Sequence, residues 1–395
     1  MLIVVQVGPI LSGRTSFAGA YAHSSLRPVA TYVPRPDLEQ RLQAQLAASE
    51  GSQQRNETRT VVVWGLGGAG KSQLALRYVQ QHQQQYQAVF WIEAGRKETI
   101  ERDYVQIYKQ LYPSLSSGNV TMPVEDAITG VKSWLQGQDK RCLELYIDLN
   151  HYLPEAPQLD RIVTTRSSRA QDMSTLEAVA VGEMSEDEAA QLFRRCAKLK
   201  QTSGETDHEI KAITKELGYL ALALTLAGSY VSETPRLSNL RRYLPEYQAH
   251  RRRLLSREAR PSIHRYKGSV LSTWEMSFAA IERQNPTAAR LLALLAFINL
   301  DDIFLRLFKI SGVSAITQGP DREDGGSRRW VALLSHQAME IDEYVVEASF
   351  AVLQAYSLVS WRKDQESYSM HKLVHAWGHD RLDGPGRNAG GSRQV

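Results

Sequence analysis

Apolar and polar positions along the chain follow two rhythms. Between residues 60 and 181, short apolar runs alternate with amphipathic stretches. The runs at 60–64, 88–92, 142–147, 161–165 and 178–181 predict strands, and the stretches at 73–79, 97–111 and 124–135 predict helices. Apolar strands separated by helices point to a parallel sheet with helices on both faces. A helix through Leu46 precedes the first strand, with Asp37 placed as its N-cap. Beyond residue 182 the period becomes helical. Ser185 and Glu188 make a capping box, followed by Ala189, Leu192, Phe193 and Cys196 at i, i+3, i+4, i+7 spacing. A second apolar helix is predicted over 219–231. Trp274, Phe278 and Ile281 share one face of a later helix, and 291–298 is strongly apolar. A helix over 345–356 then leads into two short runs, 358–361 and 367–370, joined by a charged turn. Helices followed by a β-hairpin predict a winged-helix shape.

These rhythms set the expected boundaries. Residues 1–31, rich in Gly, Ser, Ala and Pro, read as an N-terminal extension or linker. An α/β domain spans 32–182 and a helical subdomain spans 183–250. Arg251, Arg252 and Arg253 open a basic linker over 251–268. The winged-helix-like domain covers 269–383, and the Gly-rich segment 384–395, low in apolar residues, reads as a disordered tail.

The chemistry is concentrated directly after the first strand. Residues 65–72 read Gly65-Leu66-Gly67-Gly68-Ala69-Gly70-Lys71-Ser72, the G-x-x-x-x-G-K-S pattern of a phosphate-binding P-loop. Gly65, Gly67, Gly68 and Gly70 let backbone N–H groups, with that of Ala69, turn toward a phosphate. Lys71 reaches the β- and γ-phosphates, and the Ser72 hydroxyl can ligate Mg²⁺. Helical sequence from Gln73 onward adds the partial positive charge of a helix N-terminus. The fold class that follows is α/β: a P-loop NTPase sheet sandwiched by helices, with the helical and winged-helix parts after it.

Two further residues complete the phosphate site from the pattern alone. Leu145-Tyr146-Ile147-Asp148 is an apolar strand ending in a carboxylate, which makes Asp148 the second group expected at the metal. Leu149 follows it rather than an acid, so no water-activating carboxylate is evident there. Arg166 ends the strand at 161–165, at the same expected sheet edge, where a guanidinium can bond a γ-phosphate and tell ATP from ADP.

Bulk properties narrow the setting. The 395 residues suffice for two or three domains, and 43% hydrophobic with 23% charged residues is ordinary for a globular chain. A net charge of +4 does not demand nucleic acid as a partner. Only two cysteines, Cys142 and Cys196, both in apolar segments, point to a reducing compartment. No apolar stretch reaches about 18 residues, so no membrane helix is expected and the cytoplasm is the default location.

The order of motifs resembles a family. The P-loop, the apolar strand ending in Asp148, the segment from Arg161 to Arg166, then Leu217-Gly218-Tyr219-Leu220-Ala221-Leu222-Ala223-Leu224, then Met370-His371-Lys372 are similar to NB-ARC proteins. These are STAND-class P-loop switches, and the likeness is closest to the fungal NOD-like type, often followed by TPR repeats. It covers roughly residues 32–383. The resemblance implies that the Leu220–Ala221 region packs near adenine, with Ala221 standing where the family has proline. It implies that His371 reaches the β-phosphate of bound ADP and holds a closed state. Lys372 replaces the family's aspartate. The chain ends soon after that motif and its first segment is short for an effector domain, so a truncated switch is expected.

The leading expectation is an ADP/ATP switch, closed with ADP and opening or self-oligomerising with ATP and Mg²⁺, acting on protein partners and at most a slow ATPase. The alternatives are an ATPase that remodels a macromolecular partner, DNA binding through the winged helix and the basic stretch, and a degenerate nucleotide-binding scaffold. The near-neutral charge argues against nucleic acid.

Overall fold

The computed structural model describes residues 28–47, 57–86, 88–93, 97–112, 122–136, 142–144, 155–156, 159–199, 204–234, 240–256, 269–308 and 343–382. These fall into two compact units. The first comprises residues 1–65 and 69–182, and the second residues 66–68 and 183–395.

The first unit is built on a parallel sheet in the order β2-β3-β1-β4, with β1 at Arg59–Trp64, β2 at Cys142–Glu144, β3 at Leu159–Thr165 and β4 at Val179–Ala180. Val61, Val62, Val63, Ile162 and Val163 are buried, as strands of a two-sided parallel sheet require. Register is fixed at the N-terminal end of the β1–β3 pair by charge. Arg59 lies opposite Asp160 and grips its carboxylate with two hydrogen bonds of 2.7 Å. The same guanidinium donates to the Leu46 and Ala47 carbonyls at the C-terminus of helix α1 (Pro36–Leu46). Asp160 is almost fully buried, so a charge left alone there would be costly; its bidentate partner makes it tolerable.

Helices α2 (Lys71–His82), α3 (Lys97–Leu111) and α4 (Val124–Gln136) flank the sheet. The last two match their predicted spans to within a residue. α1 differs from expectation at its start. Pro36 occupies the first turn, where its fixed φ suits a helix, so Arg35 stands at the N-cap and Asp37 lies in the first turn near the positive helix end. Ala88, Val89, Phe90 and Ile92 are buried as predicted, and Phe90 meets Trp134 of α4 edge-on, but 88–92 does not join the four named strands. Residues 145–147 of the predicted third strand lie outside the described residues.

The second unit is helical. α5 (Glu186–Cys196) carries the predicted capping box, with Ser185 and Glu188 exchanging hydrogen bonds at 3.2 and 2.9 Å. It packs against α6 (Gly204–Glu216) and α7 (Ala221–Glu233). α7 begins two residues later than predicted, because Gly218 and Tyr219 both adopt left-handed backbone, φ +57° and +54°, which no helix can include. α8 runs Tyr243–Leu255 and contains Arg251–Arg253, so the basic stretch starts inside a helix rather than in a linker; its remainder, 257–268, lies outside the described residues.

Helices α9 (Val270–Gln284), α10 (Pro286–Leu295) and α11 (Glu343–Ala355) precede an antiparallel hairpin of β5 (Val359–Arg362) and β6 (Ser367–Met370), and α12 (Lys372–Leu382) follows. Trp274, Phe278 and Ile281 are buried on one face of α9 as the spacing required, and Trp377 of α12 packs against the first two. No helix among the described residues is long and apolar enough to cross a membrane.

Candidate functional site

In the first unit the P-loop leaves β1 at its carboxyl end. Gly65 has φ +139°, and a Cβ there would lie 2.3 Å from the Val181 carbonyl oxygen. Only glycine fits, because the chain must turn left-handed while passing against β4's exit. Gly70 is also left-handed, at φ +99°, and its carbonyl accepts the Gln73 and Leu74 amides at 2.9 and 3.0 Å, which starts α2. Backbone of this kind forms a nest of N–H groups at a helix N-terminus, a ready site for an anion.

Lys71 is the first residue of α2 and is 9% exposed. Its ammonium donates to the Gly65 carbonyl at 2.8 Å, closing the loop on itself. Burial, and secondarily the positive charge of Arg166, pull its pKa from the usual lysine value to about 7. Arg166 owes its place to register. Trp64 of β1 lies opposite Thr165 of β3, so the residues that follow, Gly65 and Arg166, leave the sheet at the same edge. The expected pairing of phosphate loop and guanidinium at one sheet edge is therefore present.

Ser72 is half-buried in the first turn of α2. Asp148, its expected companion at a metal, lies outside the described residues, and no group of three or more His, Cys, Asp or Glu among the described residues could hold a metal ion. Gln73 is engaged by a segment that the sequence had placed in a linker. The Val29 amide donates to its side-chain oxygen at 2.9 Å. Tyr32 and the Arg35 amide both donate to Glu39, which also faces Arg77 and Gln81 of α2. Residues 28–36 thus form a strap tied to the helix that carries Lys71. Nothing in their composition signals this, because the donors are largely backbone groups.

Leu66, Gly67 and Gly68 belong to the second unit. Gly68 has φ +91°, and its carbonyl accepts the Leu222 amide at 3.0 Å. Leu222 lies in the first turn of α7, where a helix has N–H groups with no partner of its own. Leu220 is the N-cap of α7 and Ala221 its first residue. Alanine, the best helix former, suits that first position. Gly218 sits two residues before the cap, and its carbonyl pairs with His371 Nε2 at 2.8 Å. The other ring nitrogen, Nδ1, accepts the Leu373 amide at 3.1 Å, which sets the tautomer with the proton on Nε2. Burial lowers the His371 pKa to about 4, against the opposing pull of the Gly218 bond, so the ring is neutral at pH 7. Glu183, 3.6 Å away, accordingly faces a neutral ring and makes no ion pair with it at that pH. Lys372 pairs with Glu216 at 2.6 Å.

The residues present fit a nucleotide phosphate: left-handed glycines, a helix N-terminus, a buried lysine and an arginine at the same edge. No family model matches the chain. A curated protein of Hyaloscypha variabilis, described as nucleotide-binding leucine-rich repeat (NLR)-like, is 24% identical over 378 residues, which cover 85% of this chain and 34% of that protein. A Walker-type ATPase of Pyrococcus abyssi superposes with a TM-score of 0.53 at 12% identity, over 91% of this chain and 99% of the other. The chain is similar in sequence to an NLR-like protein and shares the fold of a Walker-type ATPase. A STAND protein of Pyrococcus horikoshii with a tetratricopeptide repeat sensor aligns over 90% of this module and 43% of its own chain at 14% identity, but its TM-score of 0.33 is too low to inform the fold. The module spans about a third of its NLR-like relative, 34%.

Proposed function

We propose that this module is an adenine-nucleotide switch: it retains ADP in a closed form, and exchange for ATP with Mg²⁺ favours opening and self-association or engagement of protein partners in the cytoplasm. The observation that carries the reading is Lys71, buried at the start of α2 and anchored on Gly65, with Arg166 delivered to the same edge by the β1–β3 register. The glycine backbone, Ala69 and Lys71 hold the phosphates, Ser72 and Asp148 hold the metal, and Arg166 distinguishes a γ-phosphate. Bound Mg²⁺ would neutralise phosphate charge. Residues 269–382, helices and a hairpin, act as the winged-helix-like part that responds. Because Leu149 rather than an acid follows Asp148, hydrolysis is slow.

Lys71→Ala tests the assignment. ADP and ATP affinity, measured by titration calorimetry, should be lost; unchanged affinity would remove the phosphate role of this loop. A second reading, an ATPase that remodels another macromolecule, shares these residues, and a turnover assay separates the two. Multiple turnovers per second would favour the enzyme, and tightly retained product the switch.

A further inference from the structure

We propose that Ser256, the C-cap of α8, is a phosphorylation site for an arginine-directed serine/threonine kinase. Phosphorylation there does not depend on the phosphate loop holding a nucleotide.

The sequence supplies the recognition pattern. Arg251 and Arg253 stand five and three residues before Ser256, an R-x-R-x-x-S spacing that a kinase with an acidic peptide cleft can read through guanidinium–carboxylate pairs. The fold itself uses only the first of these arginines. Arg251 is half-buried and donates to Asp380 of α12 at 2.9 Å. Arg252 and Arg253 are exposed, and among the described residues neither makes an ion pair. Ser256 is exposed too, and its hydroxyl donates to the Arg252 carbonyl at 2.6 Å.

The segment is set apart from the helix that carries it. His250 has non-helical backbone, φ −134° and ψ 25°, so residues 251–256 follow a break in α8. In-line attack on a γ-phosphate needs the serine oxygen free of its own turn. Helix ends open locally at low cost, and the break at His250 lets this turn open without unwinding residues 243–249. Two contacts hold it closed: the pair of Arg251 with Asp380, and Leu255, which is 3% exposed. They gate the reaction, which proceeds when the clasp between α8 and α12 loosens.

In the reaction, Ser256 Oγ attacks the γ-phosphorus of the kinase's ATP. An Oγ–P bond forms, the bond to the β-phosphate oxygen breaks, ADP leaves, and the hydroxyl proton passes to the kinase's catalytic carboxylate. The added phosphate carries a charge of about −1.5 to −2. Arg252 and Arg253, four and three residues back on the same helix face, are placed to bond it. Modification thus turns a surface of two uncommitted positive charges into a nearly neutral one.

The test uses the full chain, labelled ATP and recombinant protein kinase B, with the modified residue located by mass spectrometry. The folded chain should take up phosphate at Ser256, and Ser256→Ala should lose that label. Arg253→Ala, at an exposed position, should lower kcat/KM for Ser256 about tenfold, the loss of one charged hydrogen bond. Asp380→Asn frees Arg251 and should raise kcat/KM about two- to fivefold. A folded chain that stays unlabelled at Ser256 would overturn the proposal, even if the urea-unfolded chain is labelled there. Equal labelling of wild type and Arg253→Ala would overturn recognition through arginine. An Asp380→Asn rate no higher than wild type would overturn the gate.

Discussion

At Lys71 a buried ammonium meets a loop built for anions, and its protonation becomes part of binding. Its pKa, about 7, lies below that of a free lysine because burial and Arg166 both disfavour the charge. A phosphate drawn against it favours the charged form again. Above about pH 7, binding must therefore take up a proton, and ADP affinity should fall as pH rises from 7 to 9, by up to about tenfold per unit. Calorimetry in buffers of different ionisation enthalpy would register the proton uptake; an affinity independent of pH over this range would contradict it. The sign for stability runs the other way. Lys71 has a lower pKa folded than unfolded, so the folded chain binds fewer protons between about 7 and the usual lysine value, and its contribution to ligand-free stability rises with pH across that window. The residues of this site were readable in advance because a P-loop is contiguous and its chemistry is carried by residue type. Arg166 was readable because an apolar strand of known direction ends beside it. Val29 and Leu222 were not, because each contributes a backbone N–H, a group every residue but proline possesses.

At the scale of elements, α12 is fastened to the helical part of its unit by charge as well as by Trp377. Lys372 pairs with Glu216 at the end of α6, and Arg251 of α8 makes a bidentate contact with Asp380. The Lys372 and Glu216 side chains are 41% and 30% exposed, so the pair contributes at most about 1 kcal/mol and weakens with salt. Lys372→Glu should lower stability by about that much, and Glu216→Lys added to it should restore part of the loss, with a coupling of roughly 0.5 kcal/mol in denaturant unfolding at low salt. A coupling of zero there would show that the pair holds nothing. Lys372 thus has a partner of the opposite sign in this chain. Elements with strong local signals were legible: the Ser185–Glu188 box and the face of Trp274, Phe278 and Ile281 came directly from spacing. The start of α7 was missed because Tyr219 belongs by type to a helix but is held left-handed by bonds to Thr214 and Met184, a case of tertiary context overriding propensity. The basic stretch was mistaken for a linker at its start because charge clusters carry no period, while Arg251 in fact answers a carboxylate 129 residues away.

At the scale of the whole molecule, an α/β unit with a parallel sheet and a helical unit were both foreseeable from the change of rhythm near residue 182. Less foreseeable was that Leu66–Gly68, in the middle of the phosphate motif, would belong with the second unit. Within that unit the Gly68 carbonyl accepts the Leu222 amide of α7. The proposed switch reading draws on a P-loop whose expected metal-side strand lacks a second acid. The most direct measurement is the nucleotide carried by the purified full chain, released by denaturation and identified by chromatography. The switch account predicts ADP at close to one per chain, and none in Lys71→Ala. Empty wild-type protein that also fails to take up added ADP or ATP would contradict it.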